Sequence, residues 1–96
     1  MMAELDEHVL APARLKLMSL LTAVSDAEFV TVRDALDVSD SVLSKHLGAL
    51  EDVGYLRRRK GVLRGRRTTW ISLTATGRKA LSAHVAALRA LIDGID

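Results

Sequence analysis

Seven basic side chains fall within eleven residues, Arg57-Arg58-Arg59-Lys60-Gly61-Val62-Leu63-Arg64-Gly65-Arg66-Arg67, and no acidic one interrupts them. The whole chain carries a formal net charge of only +2. Residues 1–56 contribute −6 and residues 68–96 contribute +1, so the +7 stretch stands alone. Like charges at this density repel one another, and an anionic partner relieves the repulsion; the pattern is a local electrostatic footprint rather than a generally basic protein. Guanidinium and ammonium groups that neutralise phosphates release condensed counterions, so the chemistry on offer is salt-sensitive binding of a polyanion. Lys60, Arg64, Arg66 and Arg67 are the strongest candidates. Arg57, Arg58 and Arg59 alternate sides of a strand and cannot all face one partner.

A second set of residues lies upstream. Leu43, Leu47, Leu50 and Val53 recur at helical spacing. With these turned inward, Asp40, Ser41, Ser44, Lys45 and Gly48 fall on the opposite side and Val42 on the border. Small hydroxyl side chains let a helix approach base edges and phosphates closely, Lys45 supplies charge or a donor to guanine, and Val42 can meet a thymine methyl or turn partly to the core. The candidate nucleic-acid contacts are therefore Ser41, Val42, Ser44, Lys45, Lys60, Arg64, Arg66 and Arg67.

Other chemistries find little support. There is no glycine-rich phosphate loop before a helix and no pair of carboxylates in an apolar setting, and Ser44 and His46 point to different sides of one helix. No enzyme is expected. His46 reads as a packed, hydrogen-bonded structural residue. His8 and His84, with Glu4, Asp6, Glu7 or Asp93, offer imidazole and carboxylate of the kind zinc accepts, but clustered ligand spacing is absent, so no metal and no cofactor is expected. Trp70 can stack under an arginine, although packing at the base of the hairpin is the better reading.

The elements that position these groups follow from the pattern. Proline in Ala11-Pro12 suits the first turn of a helix, and Leu15, Leu17, Met18, Leu20, Leu21 and Val24 cover more than one of its faces. Ser25 to Glu28 reads as a loop. Thr31-Val32-Arg33-Asp34 resembles a capping box opening a short helix with Ala35 and Leu36 inward. After a break at Asp37-Val38, Ser39 is an N-cap for the helix that Gly54 ends. Tyr55 to Lys60 and Thr68 to Leu73 read as two strands with Gly61 and Gly65 shaping the hairpin, Ile71 and Leu73 facing the core and Thr68, Trp70 and Ser72 the other way. Thr74 caps a last helix whose Leu81, Val85, Leu88 and Ile92 form a narrow apolar seam that must pack on something.

The expected fold is α+β and mainly helical: a winged helix-turn-helix of three helices, a two-stranded β wing and a C-terminal helix. It forms one domain over residues 1–96, with terminal helices at about 8–24 and 75–93, a helix-turn-helix at about 31–54 and a wing at about 55–73. The chain has no Cys, which excludes disulfides and thiolate metal sites. No apolar run approaches the length of a membrane span, and the acidic start does not read as a signal peptide. A soluble, cytoplasmic protein is expected.

Leu43-Ser44-Lys45-His46-Leu47, Leu50-Glu51, Gly54-Tyr55, Lys60 and Leu73-Thr74-Ala75-Thr76-Gly77-Arg78 resemble the LSxHLxxLExxGY, wing-lysine and LTxxGR signatures of compact winged-helix transcriptional regulators related to the MarR and ArsR groups. Ala11-Pro12-Ala13-Arg14-Leu15 resembles their usual start, and the resemblance spans nearly the whole chain. Val42 departs from the polar residue often found there, which leaves the base preference open. The resemblance implies a homodimeric, sequence-specific regulator of double-stranded DNA. Its third helix would enter the major groove, its wing would track the adjacent backbone or minor groove, and its first and last helices would dimerise.

A repressor acting by occlusion on a two-fold operator is the expectation, with the wing supplying affinity and Ser41 to Lys45 the choice of sequence. The alternatives are a winged-helix protein-interaction module for an acidic partner or a related regulator, and a structured-RNA binder. The sequence names no small-molecule effector. With so little chain outside the DNA-reading core, any ligand must bind near the dimer helices or the wing.

Overall fold

Proline decides where the first long helix begins. In the computed structural model, which describes residues 4–94, helix α1 (Glu7–Leu10) stops at Ala11, whose φ of −59° and ψ of 128° are non-helical, and α2 (Pro12–Thr22) starts with Pro12 in its first turn. A proline lacks the N–H that a continuous helix needs and pushes the preceding residue out of the helical region, so the terminal helix expected over 8–24 is two pieces. After α2 come β1 (Ala27–Glu28), α3 (Phe29–Leu36), α4 (Asp40–Asp52), β2 (Leu56–Leu63), β3 (Arg66–Leu73) and α5 (Ala75–Asp93). The strands form an antiparallel sheet in the order β1-β3-β2. The fold is a winged helix, mainly helical, and no helix among the described residues is long and apolar enough to cross a membrane.

Three local expectations need correcting. Ala27 and Glu28, expected in a loop, pair with Ile71 and Trp70 as the short strand β1. Helix α3 begins at Phe29 rather than at a capping box on Thr31; its N-cap Glu28 makes no side-chain cap bond, and Asp34 is drawn to Arg33 at 3.0 Å. Val32 and Leu36, four apart, define its inner face, which leaves Ala35 exposed.

Where local chemistry is strong, structure follows it. The Val42 amide donates to the Ser39 hydroxyl at 3.2 Å, capping α4. Gly54, at φ 79°, takes the left-handed conformation that ends the helix, with its amide donating to the Glu51 carbonyl and that of Tyr55 to the Leu50 carbonyl. Thr74 caps α5 by accepting the Gly77 amide at 3.0 Å, and its own hydroxyl donates to the Gly54 carbonyl. Arg78 then reaches the Thr22 and Val24 carbonyls at 3.2 and 3.3 Å, satisfying groups at the end of α2 that have no helical partner. The string Leu73-Thr74-Ala75-Thr76-Gly77-Arg78 is thus a fastening between the end of α4, the root of the wing, α5 and the end of α2.

The core joins α1 through Val9, α2 through Leu17, Met18 and Leu21, α4 through Leu43, Leu47 and Leu50, and the sheet through Leu56, Ile71 and Leu73. On α5 the inward line is Gly77, Leu81, His84 and Ala87. The expected seam is therefore only partly used inside the chain: Leu81 is buried, Val85 and Leu88 are half-buried, and Ile92 is 68% exposed.

Asp6 knots the two ends together. Its carboxylate accepts the His8 amide at 2.8 Å and the Tyr55 hydroxyl, while its own amide donates to Nδ1 of the buried His84 at 2.9 Å. Burial pushes the Asp6 carboxyl up, but the bonds from Tyr55 and His8 and the nearby imidazoles outweigh it, leaving it below its ordinary 3.8. The same bond, with burial and the Asp6 charge, pushes Tyr55 up to about 12. Asp6 therefore contributes stability above the ordinary carboxylate range that is lost as acid protonates it, and Tyr55 contributes below about pH 10 and loses that as pH climbs towards 12. Tyr55 is the sole tyrosine, so tyrosinate absorbance reads it directly. A midpoint near 12 is expected, falling towards about 10 in Asp6→Asn. A wild-type midpoint near 10 would contradict the bond.

Candidate nucleic-acid interface

Helix α4 turns Leu43, Leu47 and Leu50 into the core, and its period leaves Ser41, Val42, Ser44 and Lys45 exposed. Val42 is 40% exposed, so the border position belongs to the surface and not to the core. Ser41 Oγ lies 3.2 Å from Ser39 Oγ, beside the cap. The acid at the head of the helix is answered: Arg33 crosses the turn from α3 to Asp40 at 2.9 Å, which also clamps the two helices. His46 is half-buried, and its Nδ1 accepts from Arg14 Nε on α2 at 3.2 Å. Burial first, then the charges of Arg14 and Lys45, holds the imidazole below its usual pKa, and a neutral ring is what accepting this bond requires.

The strands of the wing are longer, and its loop shorter, than the sequence suggests. Strand β2 runs through Gly61 to Leu63, β3 starts at Arg66, and Leu63 pairs with Arg66 across a two-residue loop. Both loop residues have positive φ, 53° at Arg64 and 77° at Gly65, as a type I′ turn requires. Gly61, expected at the tip, instead pairs with Thr68 inside the sheet. A Cβ there would lie 2.9 Å from Trp70 Cδ1 and Nε1, so its small size makes room for the indole. Trp70 is half-buried, and Arg59 lies over its ring at 5.8 Å, so it combines packing at the hairpin with the stacking that was the lesser expectation.

Register sorts the basic residues. Lys60 and Arg67 share a face with Arg58, opposite Thr69, Val62 and Ile71 respectively, whereas Arg66 shares the other face with Arg59, and Arg64 sits at the tip. Arg58 is paired with Glu51 at the end of α4, its Nε donating at 2.7 Å, and Arg59 with Asp26 at 3.0 Å. Among the described residues, Arg57, Lys60, Arg64, Arg66 and Arg67 have no ion pair, and all five are exposed. The two internally neutralised arginines could not be picked out from sequence, because their partners are seven and thirty-three residues away. Arg33, Arg14 and Asp6 were missed as positioning residues for the same reason.

His84 offers no ligand to a metal: Nδ1 is occupied by the Asp6 amide, and Nε2 is buried without a hydrogen-bond partner among the described residues. No group of three or more His, Asp or Glu among the described residues is placed to hold an ion.

The winged helix DNA-binding domain family matches residues 13–92 of the chain. An uncharacterized protein of Methanocaldococcus jannaschii is 33% identical over 72 residues, covering 75% of this chain and 78% of that protein. The solved structure of a transcriptional regulator homologue from Pyrococcus horikoshii superposes with a TM-score of 0.87 at 28% identity, over 95% of this chain and 90% of that one. ZitR of Lactococcus lactis, described as a zinc-responsive MarR family member, shares the fold at a TM-score of 0.64 and 18% identity, over 88% of this chain and 57% of that one. The chain belongs to the winged helix DNA-binding domain family and has the fold of the MarR-like transcriptional regulators, which are not enzymes.

Proposed function

We propose that this transcriptional regulator acts in the cytoplasm as a homodimeric repressor that occludes a two-fold symmetric operator. Helix α4 enters the major groove with Ser41, Val42, Ser44 and Lys45 towards the bases, and the wing lays Lys60, Arg64, Arg66 and Arg67 on the neighbouring backbone or minor groove. The observation that carries this reading is the contrast within the wing: two arginines are answered by internal acids, and those nearest the tip are left unanswered beside a helix-turn-helix. Dimerisation through the first and last helices is supported by apolar surface the chain does not cover, with Leu10 49%, Leu91 46% and Ile92 68% exposed. A shallow groove of about 350 Å³ beside Leu81, Val85 and Ala86 continues it.

Selection of bound sites from a random duplex pool, followed by footprinting, tests the proposal. Two inverted half-sites about 34 Å apart on one face of the duplex are expected. An extended, non-palindromic or salt-insensitive footprint would overturn it. Changes at Ser41, Val42 or Lys45 should alter which sequence is selected, while wing changes should weaken all sequences alike.

Gly48 supplies a sharper check on the helix. It lies mid-helix on the groove side of α4, and nothing in the chain comes within 4 Å of a Cβ built there. Gly48→Ala should therefore raise the stability of the fold by about 1 kcal/mol through helix propensity. It should at the same time weaken DNA binding by placing a methyl group at the groove. A melting temperature that rises while operator affinity stays unchanged would mean that this face does not meet DNA.

A further inference from the structure

Between the outer wing and the start of α3 lies a cavity of about 510 Å³. Phe29, Val30 and Leu63 give it an apolar wall, and Arg64, Arg66 and Arg67 line the remainder. Val30 and Leu63 are 43% and 38% exposed, so the chain itself does not cover the wall. The three arginines are exposed and outside any ion pair among the described residues. Glu28, the one acid in the lining, is turned back on the sheet, where its carboxylate accepts the Thr68 hydroxyl at 2.8 Å.

The charge of this lining decides which ligand it fits. Three guanidinium groups and one carboxylate leave a formal +2. A carboxylate ligand, or an internal phosphodiester of a duplex, brings a single negative charge and leaves the other cation unanswered. A phosphate monoester carries about −1.5 to −2 at pH 7, with three acceptor oxygens that match the guanidinium forks. Inorganic phosphate has that charge but nothing to lay against Phe29, Val30 and Leu63, so the ester must carry an apolar or aromatic group. A planar base meets both needs, since it packs on apolar side chains and stacks on guanidinium planes.

We propose that this cavity binds a free nucleoside monophosphate. Arg64, Arg66 and Arg67 hold the phosphate, and the base lies on the wall formed by Phe29, Val30 and Leu63. The phosphate occupies the charges assigned above to DNA, so the bound nucleotide releases the wing from the duplex. That release rests on the DNA reading, whereas the nucleotide site stands without it. The two ligands oppose each other reciprocally: a duplex on the wing weakens the nucleotide by the factor by which the nucleotide weakens the duplex.

Titration of the whole protein with adenosine 5′-monophosphate, followed in nitrogen-15 spectra, tests the site. The Nε signals of Arg64, Arg66 and Arg67 and the amides of Val30 and Leu63 should shift. Adenosine, inorganic phosphate and the singly charged 3′,5′-cyclic monophosphate should each bind about tenfold more weakly or worse. Val30→Asp should cost about tenfold in nucleotide affinity and spare operator binding, whereas Glu28→Gln, which keeps an acceptor for Thr68, should tighten the nucleotide about threefold. Equal binding of the cyclic ester, a folded Val30→Asp variant with wild-type nucleotide affinity, or no shift at millimolar nucleotide would overturn the proposal. Release is measured on duplexes with 5′-hydroxyl ends, so that no terminal monoester competes. With the nucleotide at about nine times its dissociation constant, operator affinity should fall about tenfold per subunit. Nucleotide binding with unchanged operator affinity would overturn the release, and nucleotide binding by a protein that binds no duplex would overturn the DNA reading and leave the site standing.

Discussion

Replacing both Arg66 and Arg67 by alanine is expected to remove most of the salt dependence of DNA binding while leaving the fold intact. Both side chains are exposed and outside any ion pair among the described residues, so their loss breaks no internal contact of that kind. If each subunit of a dimer makes about three phosphate contacts, the slope of log affinity against log salt is near −5, which corresponds to roughly a thousandfold loss between about 50 and 200 mM salt. Removing two contacts per subunit should bring that slope to about −2, equally for operator and random duplex. Arg58→Ala and Arg59→Ala are the contrast. Their charges already face Glu51 and Asp26, so they should change the slope little. A double variant with an unchanged slope would place the phosphate contacts elsewhere on the molecule.

The largest effect on stability is expected from the smallest change, Gly77→Ala. A Cβ at Gly77 would lie 2.2 Å from the Tyr55 carbonyl oxygen and 2.9 and 3.0 Å from Tyr55 C and Cα. These are backbone atoms and cannot rotate aside. The same carbonyl accepts the Thr74 amide at 3.0 Å, so moving it breaks the fastening of α5 to the root of the wing. Overpacking of this kind costs about 3 kcal/mol. In a domain of this size that corresponds to a melting temperature lower by about 12 °C or more. Thermal denaturation checks it against Gly48→Ala, where a Cβ meets nothing and the shift has the opposite sign. Equal melting temperatures for the two variants would show that the contact at Gly77 relaxes without cost.

What the sequence makes legible is whatever a few neighbouring residues decide. The caps of Ser39 and Thr74 and the helix end at Gly54 are each made with a backbone group three residues away, and Leu43, Leu47 and Leu50 state their face by spacing alone, so the helix-turn-helix, its end and the start of α5 were readable. Strand β1 was not, because two residues carry no alternation and its pairing is owed to Ile71 and Trp70, more than forty positions on. Thr31 to Asp34 has the composition of a cap, yet the sheet fixes the chain at Glu28 and the helix starts there, an instance of tertiary pairing overriding a local preference. The wing showed the same division. Its charge density was visible in the residues, and its internal neutralisation at Arg58 and Arg59 was decided by acids brought in from α4 and from the segment before β1.

Asp6 gives the chain an order of events. It leaves the ribosome ahead of both its partners, for the tyrosine and the histidine it holds stand 49 and 78 positions later. At synthesis rates of about 5–20 residues per second it waits several seconds for them. Until α5 emerges, the Asp6 amide has no His84 to meet and Val9 no α5 to pack beside, so a nascent chain can shape its helix-turn-helix but cannot close its ends. Closure of the knot is therefore a late step that only a chain extending past His84 can take.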